Sequence, residues 1–251
     1  MSKKYFFVFR LLVSCALLFA LFHLVPYTKI LDIYQNSIKF YLVLSFFVFL
    51  FAHVISIYRW KIILLHFGKK VSFFDLGGSF LSGTFFNLFF PSCIAGDVFR
   101  GVSISVRDGE SSKVISSVLM DRFCGAVGMA MFAVLAFLAG GNILMREEVI
   151  IPLVIFCAAV IIGALIVFSK TFLSWILILA GKNNFIRKKL VTFHDELSLF
   201  RRRPATLAKG VFLSFFIQIC AVISFYLAAL AFGYRVNLFY FLILVPIIIA
   251  I

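Results

Sequence analysis

Long apolar runs divided by short polar or basic stretches dominate the chain. Runs of this kind predict helices that are apolar all round, as in a membrane span. They cover residues 11–25, 40–57, 123–138, 149–168 and 211–232, with a final run at 238–251. The four from 40 to 232 hold about 16 to 22 residues each, or about 24 to 33 Å of helix, enough to cross the hydrocarbon. The first run follows a short basic start (Lys3, Lys4, Arg10) and is read as a retained helix, because Leu24-Val25-Pro26-Tyr27 has no small-x-small cleavage site. The lipoprotein-like box Leu12-Val13-Ser14-Cys15 follows too short an apolar stretch to serve as one. The last run stops in mid-hydrophobic flow, so the expectation is a C-terminally truncated chain.

The segment 72–100 is apolar but poorly made for a simple crossing, with Gly77, Gly78, Gly83, Asn87, Pro91 and Gly96 spread through it. Lys and Arg near span ends gather on the cytoplasmic side, and this decides how the segment sits. If it enters and returns on one side, all but four of the 24 basic residues (Lys29, Lys39, Arg146, Arg235) face the cytosol. If it crosses, fifteen face outward and nine inward. The prediction is therefore a re-entrant broken helical hairpin with a cytoplasmic N-terminus. Tyr58-Arg59-Trp60-Lys61 is expected where a helix leaves the membrane on the basic side. Ile186, Leu190, Phe193, Leu197 and Phe200, with basic residues around them, predict a cytoplasmic amphipathic helix at about 185–203, either on the inner leaflet or packed on the bundle.

Composition agrees with the pattern. At 64% hydrophobic and 14% charged, against about 45 to 50% and about 25% in an ordinary soluble domain, the 251 residues do not form a water-soluble globule. The fold class is all-α, a polytopic integral membrane helical bundle, and residues 1–251 form a single domain without internal repeat or dividing linker. The net charge of +14 points to anionic lipid headgroups before nucleic acid. The five cysteines (Cys15, Cys93, Cys124, Cys157, Cys220) lie singly in apolar runs without metal-ligand spacing, so no metal is expected.

Chemistry concentrates in Asn87-Leu88-Phe89-Phe90-Pro91-Ser92-Cys93-Ile94-Ala95-Gly96-Asp97-Val98-Phe99-Arg100. Asn87 and Pro91 supply a backbone break, which at membrane depth is tolerated where protein covers it or it lines a wet cavity. Pro91 fits the first turn of a returning helix, whose amides near Ser92 to Ile94 suit an anionic group. Asp97 and Arg100, three residues apart, can pair on one helix face, or a phosphate can recruit Arg100. Mutual neutralisation of that pair, with glycines for tight packing, is the plainer alternative. Asp121-Arg122 opens the next span, but adjacent residues on a helix face differently, so one of the two is expected to be structural. His53, inside a span, is either functional or hydrogen-bonded within the bundle. No phosphate-cradling G-x-x-x-x-G-K-[ST] loop, H-E-x-x-H pair or G-x-S-x-G elbow occurs, and the ten acidic residues give paired-carboxylate catalysis little support. No enzyme activity and no cofactor are expected.

The run Phe85 to Pro91, then Gly96-Asp97-Val98-Phe99-Arg100, then Leu119-Met120-Asp121-Arg122 with Gly125, resembles the membrane region of lysylphosphatidylglycerol synthases and the stand-alone flippase-like proteins similar to them. Arg59-Trp60 and Arg201-Arg202-Arg203-Pro204 also sit where that family carries them. The resemblance implies a bacterial or archaeal inner-membrane protein whose relatives move an aminoacylated phospholipid between leaflets or are associated with lipid-linked sugars. The family's later glycine-rich segment and the synthases' soluble aminoacyl-transferase domain are not in this sequence, so lysine transfer is not implied. The leading expectation is a lipid translocase whose substrate-binding residues are Asn87, Pro91, Ser92, Asp97, Arg100, Asp121 and Arg122, with the two arginines on phosphate and Asp97 orienting Arg100 or meeting a cationic headgroup. A non-transporting accessory subunit of a lipid- or glycan-modifying enzyme, docked through residues 170–209, is the alternative. A polyprenyl-phosphate transferase with a catalytic Asp97 is the weakest reading. The partners expected are a phospholipid or lipid-linked substrate and the membrane, without nucleic acid; self-association or an enzyme partner stays open.

Overall fold

The computed structural model describes residues 27–89, 93–108, 111–140, 147–169, 191 and 204–250. Among these it is all-α: α1 (Tyr27–Asn36), α2 (Lys39–His66), α3 (Phe73–Phe89), α4 (Cys93–Asp108), α5 (Ser111–Gly140), α6 (Glu147–Phe168), α7 (Pro204–Ala231) and α8 (Leu238–Ala250). The predicted span 11–25 and, apart from residue 191, the predicted amphipathic helix 185–203 lie outside the described residues, as do Pro91 and Ser92. Among the described residues three helices, α2, α7 and nearly all of α5, are long and apolar enough to cross a membrane. At 28 to 30 residues they reach about 42 to 45 Å, beyond the apolar runs that predict them, because each carries its polar end as helix too.

Large apolar side chains point outward in number, including Phe40, Phe46, Phe47 and Phe51 on α2 and Ile155, Ile161 and Leu165 on α6. Water would penalise such a surface, whereas lipid chains do not. Where α2, α5 and α7 approach one another most closely, small and polar residues meet. On α5 and α7, the Cys124-x-x-x-Gly128 and Gly210-x-x-x-Ser214 faces meet so closely that a Cβ at Gly210 would stand 2.9 Å from the Cys124 Sγ. A Cβ at Gly128 would collide with that of Ser214. Close approach of this kind multiplies dispersion contacts, which drive helix association in lipid. Helices α2 and α7 run antiparallel, and Ser45 donates to the Ser224 carbonyl oxygen at 2.8 Å while Ser224 returns the bond to the Ser45 carbonyl at 3.1 Å.

Helix boundaries follow local chemistry. Gly68 and Gly233, at φ +77° and +81°, take the left-handed turn that ends α2 and α7, a conformation glycine adopts without steric cost. Helix α3 starts with a serine N-cap: the Asp75 amide donates to Ser72 Oγ at 3.1 Å, and the Ser72 hydroxyl donates to the Asp75 carboxylate at 2.8 Å. Helices α3 and α4 then pack antiparallel. Their backbones touch at Gly83 and Gly96, where a Cβ at Gly83 would stand 2.7 Å from the Gly96 carbonyl oxygen. The rings of Phe86 and Phe99 stack beside that contact at 4.0 Å.

Two apolar clusters converge on the C-terminal part of α2. Ile57, Trp60 and Leu64 pack with Leu76, Ile104, Val114 and Val118, joining α2 to α3, α4 and α5. Ile63 and Phe67 pack with Met120 and Cys124, with Leu207 and Val211 of α7 against them. The sequence reading puts 58–61 at the membrane surface, where Arg59 and Trp60 would lie exposed; the structure buries both. Helix α2 continues unbroken to His66, and Arg59 and Trp60 turn into the bundle. The reason is periodic: Ile57, Trp60 and Leu64 form one stripe, and Arg59 and Ile63 the neighbouring one. Of the four residues, Tyr58 faces out and Lys61 is half-buried.

Candidate functional site

Between these clusters lies a chain of charges. Arg59 of α2 donates from Nε to Asp121 Oδ1 at 2.7 Å, and Arg100 of α4 donates from Nη2 to Asp121 Oδ2 at 3.0 Å. One carboxylate of α5 thus bridges two arginines from two other helices. Arg100 Nε stands 3.2 Å from Asp97 Oδ1, and Arg122 grips the same Asp97 with Nε at 2.5 Å and Nη2 at 2.6 Å. At the far end Arg59 Nη1 donates to Ser214 Oγ of α7 at 2.6 Å, and the Ser214 hydroxyl donates to the Gly210 carbonyl at 2.7 Å.

The chain has a sealed end and an open one. Arg59, Arg100 and Asp121 are 8%, 3% and 1% exposed. The Arg122 side chain is 53% exposed. Burying ions in a bundle is unfavourable unless each is paired and hydrogen-bonded, and the shared carboxylate does this for both inner arginines. Packing supports Arg100 further. Its guanidinium carbon lies 4.8 Å from the Trp60 ring centroid and 5.4 Å from that of Phe80, positions where an aromatic face attracts a cation. Trp60 is pinned in turn by donating from Nε1 to Ser117 Oγ at 3.1 Å. Gly125 packs against the Arg59 guanidinium, where an added Cβ would make an ordinary contact at 3.5 Å from Nη1.

The residues share one level. Arg59 and Arg100 come seven and eight residues before the ends of α2 and α4, and Asp121 and Ser214 each ten after the starts of α5 and α7. At 1.5 Å per residue the network sits about 10 to 15 Å inside the same end of the bundle. Three guanidinium groups share two carboxylates there, so the five side chains carry a formal excess of one positive charge.

Of the residues singled out from sequence, Asp97, Arg100, Asp121 and Arg122 come together in this chain. The expected Asp97 pairing with Arg100 is present, but both have further partners. Asp121 and Arg122 do face different ways, one inward and one outward, and are nonetheless linked through Arg100 and Asp97. Asn87 sits apart and holds the hairpin, accepting the Gly96 amide on Oδ1 at 2.8 Å. His53 keeps to its own helix, with Nδ1 3.0 Å from the Phe49 carbonyl oxygen and its ring against Phe49 and Phe80. Arg59, Trp60 and Ser214 were not singled out as site residues. The available signal was Asp121 itself: a carboxylate inside a span requires a cation, and Arg59 lies on the neighbouring long span. No group of three or more His, Cys, Asp or Glu able to hold a metal occurs among the described residues.

Comparison with curated proteins and with solved structures gives no match. A family model does match, that of the lysylphosphatidylglycerol synthase TM region, over residues 7–251. The match takes in every helix described and all five members of the charge chain, and with the apolar spans it leads to one conclusion: this multi-pass membrane protein belongs to the lysylphosphatidylglycerol synthase transmembrane-region family.

Proposed function

We propose that the protein is a lipid translocase that admits the phosphate of a phospholipid or lipid-linked headgroup at the open end of the charge chain. The observation carrying this reading is the chain's polarity, sealed at Arg59 and Asp121 and exposed at Arg122. An intramembrane charge network is costly, and one that only stapled helices would have no need of an arginine facing outward. Arg122 meets the phosphate first, Asp97 then has Arg100 as its remaining partner, and the buried Asp121 holds both inner arginines in place. The polar site lowers the cost of bringing a headgroup into hydrocarbon, where a single charge costs about 3 kcal/mol on insertion scales. Without a nucleotide-binding motif, movement is passive or coupled to lipid synthesis, and the reading assigns no catalysis.

In this proposal α3 and α4 form a re-entrant hairpin entering from the cytosol of the cell membrane. Their lengths of 17 and 16 residues, about 24 to 26 Å each, are at the short end of what crosses the hydrocarbon. Their antiparallel packing brings Lys69 and Lys70 to the same end as Lys113, the side on which basic residues gather in the cytosol. The test is labelled-lipid flip in proteoliposomes with Arg122→Ala, chosen because Arg122 is exposed and its loss leaves the buried pairs intact. Flip is expected to fall at least about tenfold, the factor for one charge-assisted hydrogen bond. Unchanged flip overturns the reading, and a stoichiometric enzyme partner with no flip by the wild-type protein favours the accessory-subunit alternative.

A further inference from the structure

Helix α1 carries its apolar side uncovered. Its polar residues Thr28, Asp32, Gln35 and Asn36 gather on one face by helical spacing, and Tyr34 lies opposite with Leu31 and Ile33 on either side of it. Leu31, Ile33 and Tyr34 are 50 to 54% exposed, and so the helix does not bury its apolar face in the bundle.

A built corner nevertheless fixes where α1 points. The buried Ser37 donates from Oγ to the Tyr34 carbonyl oxygen at 2.6 Å. Lys39, the first residue of α2, reaches back over the end of α1. Its Nζ donates to the Tyr34 carbonyl oxygen, to that of Gln35 at 3.4 Å and to Ser37 Oγ at 3.0 Å, and it lies 3.8 Å from the Tyr34 ring centroid. A cation placed there satisfies carbonyls that a helix end leaves open. The Ile38 amide donates to the Ala231 carbonyl oxygen at 2.9 Å, which seats the corner on the last residue of α7, at the end of the bundle away from the charge chain.

After Lys39 the next Lys, Arg, Asp or Glu on α2 is Arg59. Twenty residues of helix span about 30 Å, one hydrocarbon thickness, so Lys39 marks one boundary of the hydrocarbon and the charge chain stands near the other. We propose that α1 is an interfacial helix, lying in the headgroup layer of the leaflet opposite the charge chain with Leu31, Ile33 and Tyr34 turned into the lipid. The occupant of its apolar side is a lipid surface, because the exposed apolar residues run on through Ile38, Phe40 and Val43 into the lipid-facing side of α2. A second copy of the chain does not fit: three half-exposed side chains offer a small part of the about 800 Å² that a stable interface takes from each partner. The leaflet is the outer one where α3 and α4 enter from the cytosol.

The test places tryptophan singly in the full chain, as Leu31→Trp, Tyr34→Trp, Asp32→Trp and Asn36→Trp, in phosphatidylcholine vesicles. All four positions are exposed, so bundle packing is left alone, and the signal of the native Trp60 and Trp175 is subtracted from wild type. Quenching is read with lipids brominated near the headgroup, with lipids brominated near the chain end, and with aqueous iodide. For Leu31→Trp and Tyr34→Trp the near-headgroup bromine is expected to quench at least about twofold more than the chain-end bromine, with little effect of iodide, as for a helix seated at the headgroup boundary. Asp32→Trp and Asn36→Trp should show the reverse preference, for iodide over either lipid. Equal quenching at all four positions overturns the proposal, as does stronger quenching of Leu31→Trp and Tyr34→Trp by chain-end bromine or by iodide. Protection of those two from both lipid and iodide also overturns it, since protein then covers the face. No lipid has to be moved, so the outcome is independent of the translocation reading.

Discussion

The same three long helices, α2, α5 and α7, are joined in two chemically different ways along their length. In one half, charges cross between helices: Arg59 to Asp121, Asp121 to Arg100, Arg59 to Ser214. In the other half the contacts are neutral, with the Ser45 and Ser224 exchange between α2 and α7 and the Phe132, Val222 and Val245 cluster where α5, α7 and α8 meet. Both halves hold helices together, and the neutral one does so without the desolvation cost of ions. Association therefore does not explain the charged half. Its expense, and the exposure of its last arginine, mark it as the part with chemistry to perform.

The largest effect that can break this contrast comes from the shared carboxylate. Asp121→Ala leaves Arg59 without its Nε acceptor and Arg100 without its Nη2 acceptor, both buried. Removing one partner of a buried ion pair costs about 3 to 5 kcal/mol, and two arginines are stranded here. The variant is expected not to accumulate in membranes, or to unfold at much lower temperature in detergent. Asp121→Asn, which keeps an acceptor oxygen, should fall between. A variant as stable as wild type would show that the arginines find other partners and that the chain is not a unit.

The hairpin comes next. Gly96→Ala would push a methyl group into the Gly83 carbonyl oxygen and the Asn87 side chain, a collision with backbone that rotamers cannot relieve. A loss of about 1 to 3 kcal/mol is expected from overpacking. Gly78→Ala in the same hairpin is the control, because nothing lies within 4 Å of its added Cβ. It should stay within about 0.5 kcal/mol of wild type. Thermal unfolding of the pair measures how far the position of Asp97 and Arg100 depends on this one backbone contact.

At the open end the prediction is smaller in stability and larger in salt dependence. Arg122→Ala removes a half-exposed ion pair with Asp97, so it should cost less than about 1 kcal/mol, a loss that shrinks as salt is added. A cost as large as that of Asp121→Ala would place Arg122 among the structural charges and remove the distinction between the two ends.

Much of this was legible before any coordinates. Periodicity and length located α2, α5 and α7, the helices long and apolar enough to cross among the described residues, because a helix apolar on all sides has few other uses, and the G-D-x-x-R and D-R motifs named four of the five chain members. The topology of the pairing was not legible. Spacing within one helix makes Asp97 and Arg100 natural partners, but nothing in the sequence says that Asp121 reaches across to Arg59, sixty-two positions away. Arg59-Trp60 read as an interfacial exit because an arginine beside a tryptophan is what a membrane surface attracts. The register of α2 against α5 and α7 turned that pair inward, and register is a property of packed helices. Ser214 was invisible for the same reason, as a serine in a long apolar run normally bonds its own helix, and Ser214 does so while also accepting from Arg59.

The smallest predicted effect tests the neutral half. Ser45→Ala removes the 2.8 Å bond to the Ser224 carbonyl but leaves Ser224 its own bond to the Ser45 carbonyl oxygen, since that acceptor is backbone. The loss should be near the average for interhelical hydrogen bonds in membranes, about 0.6 kcal/mol. Because each hydroxyl relies on the other residue's backbone, Ser45→Ala and Ser224→Ala should be nearly additive, with only the 3.1 Å contact between the two hydroxyls to couple them. Arg59 and Asp121 depend on each other's side chains, so the same double-mutant cycle there should show strong coupling. Equal coupling in the two cycles would erase the difference between the halves, and with it the argument that the charged half exists for more than holding helices together.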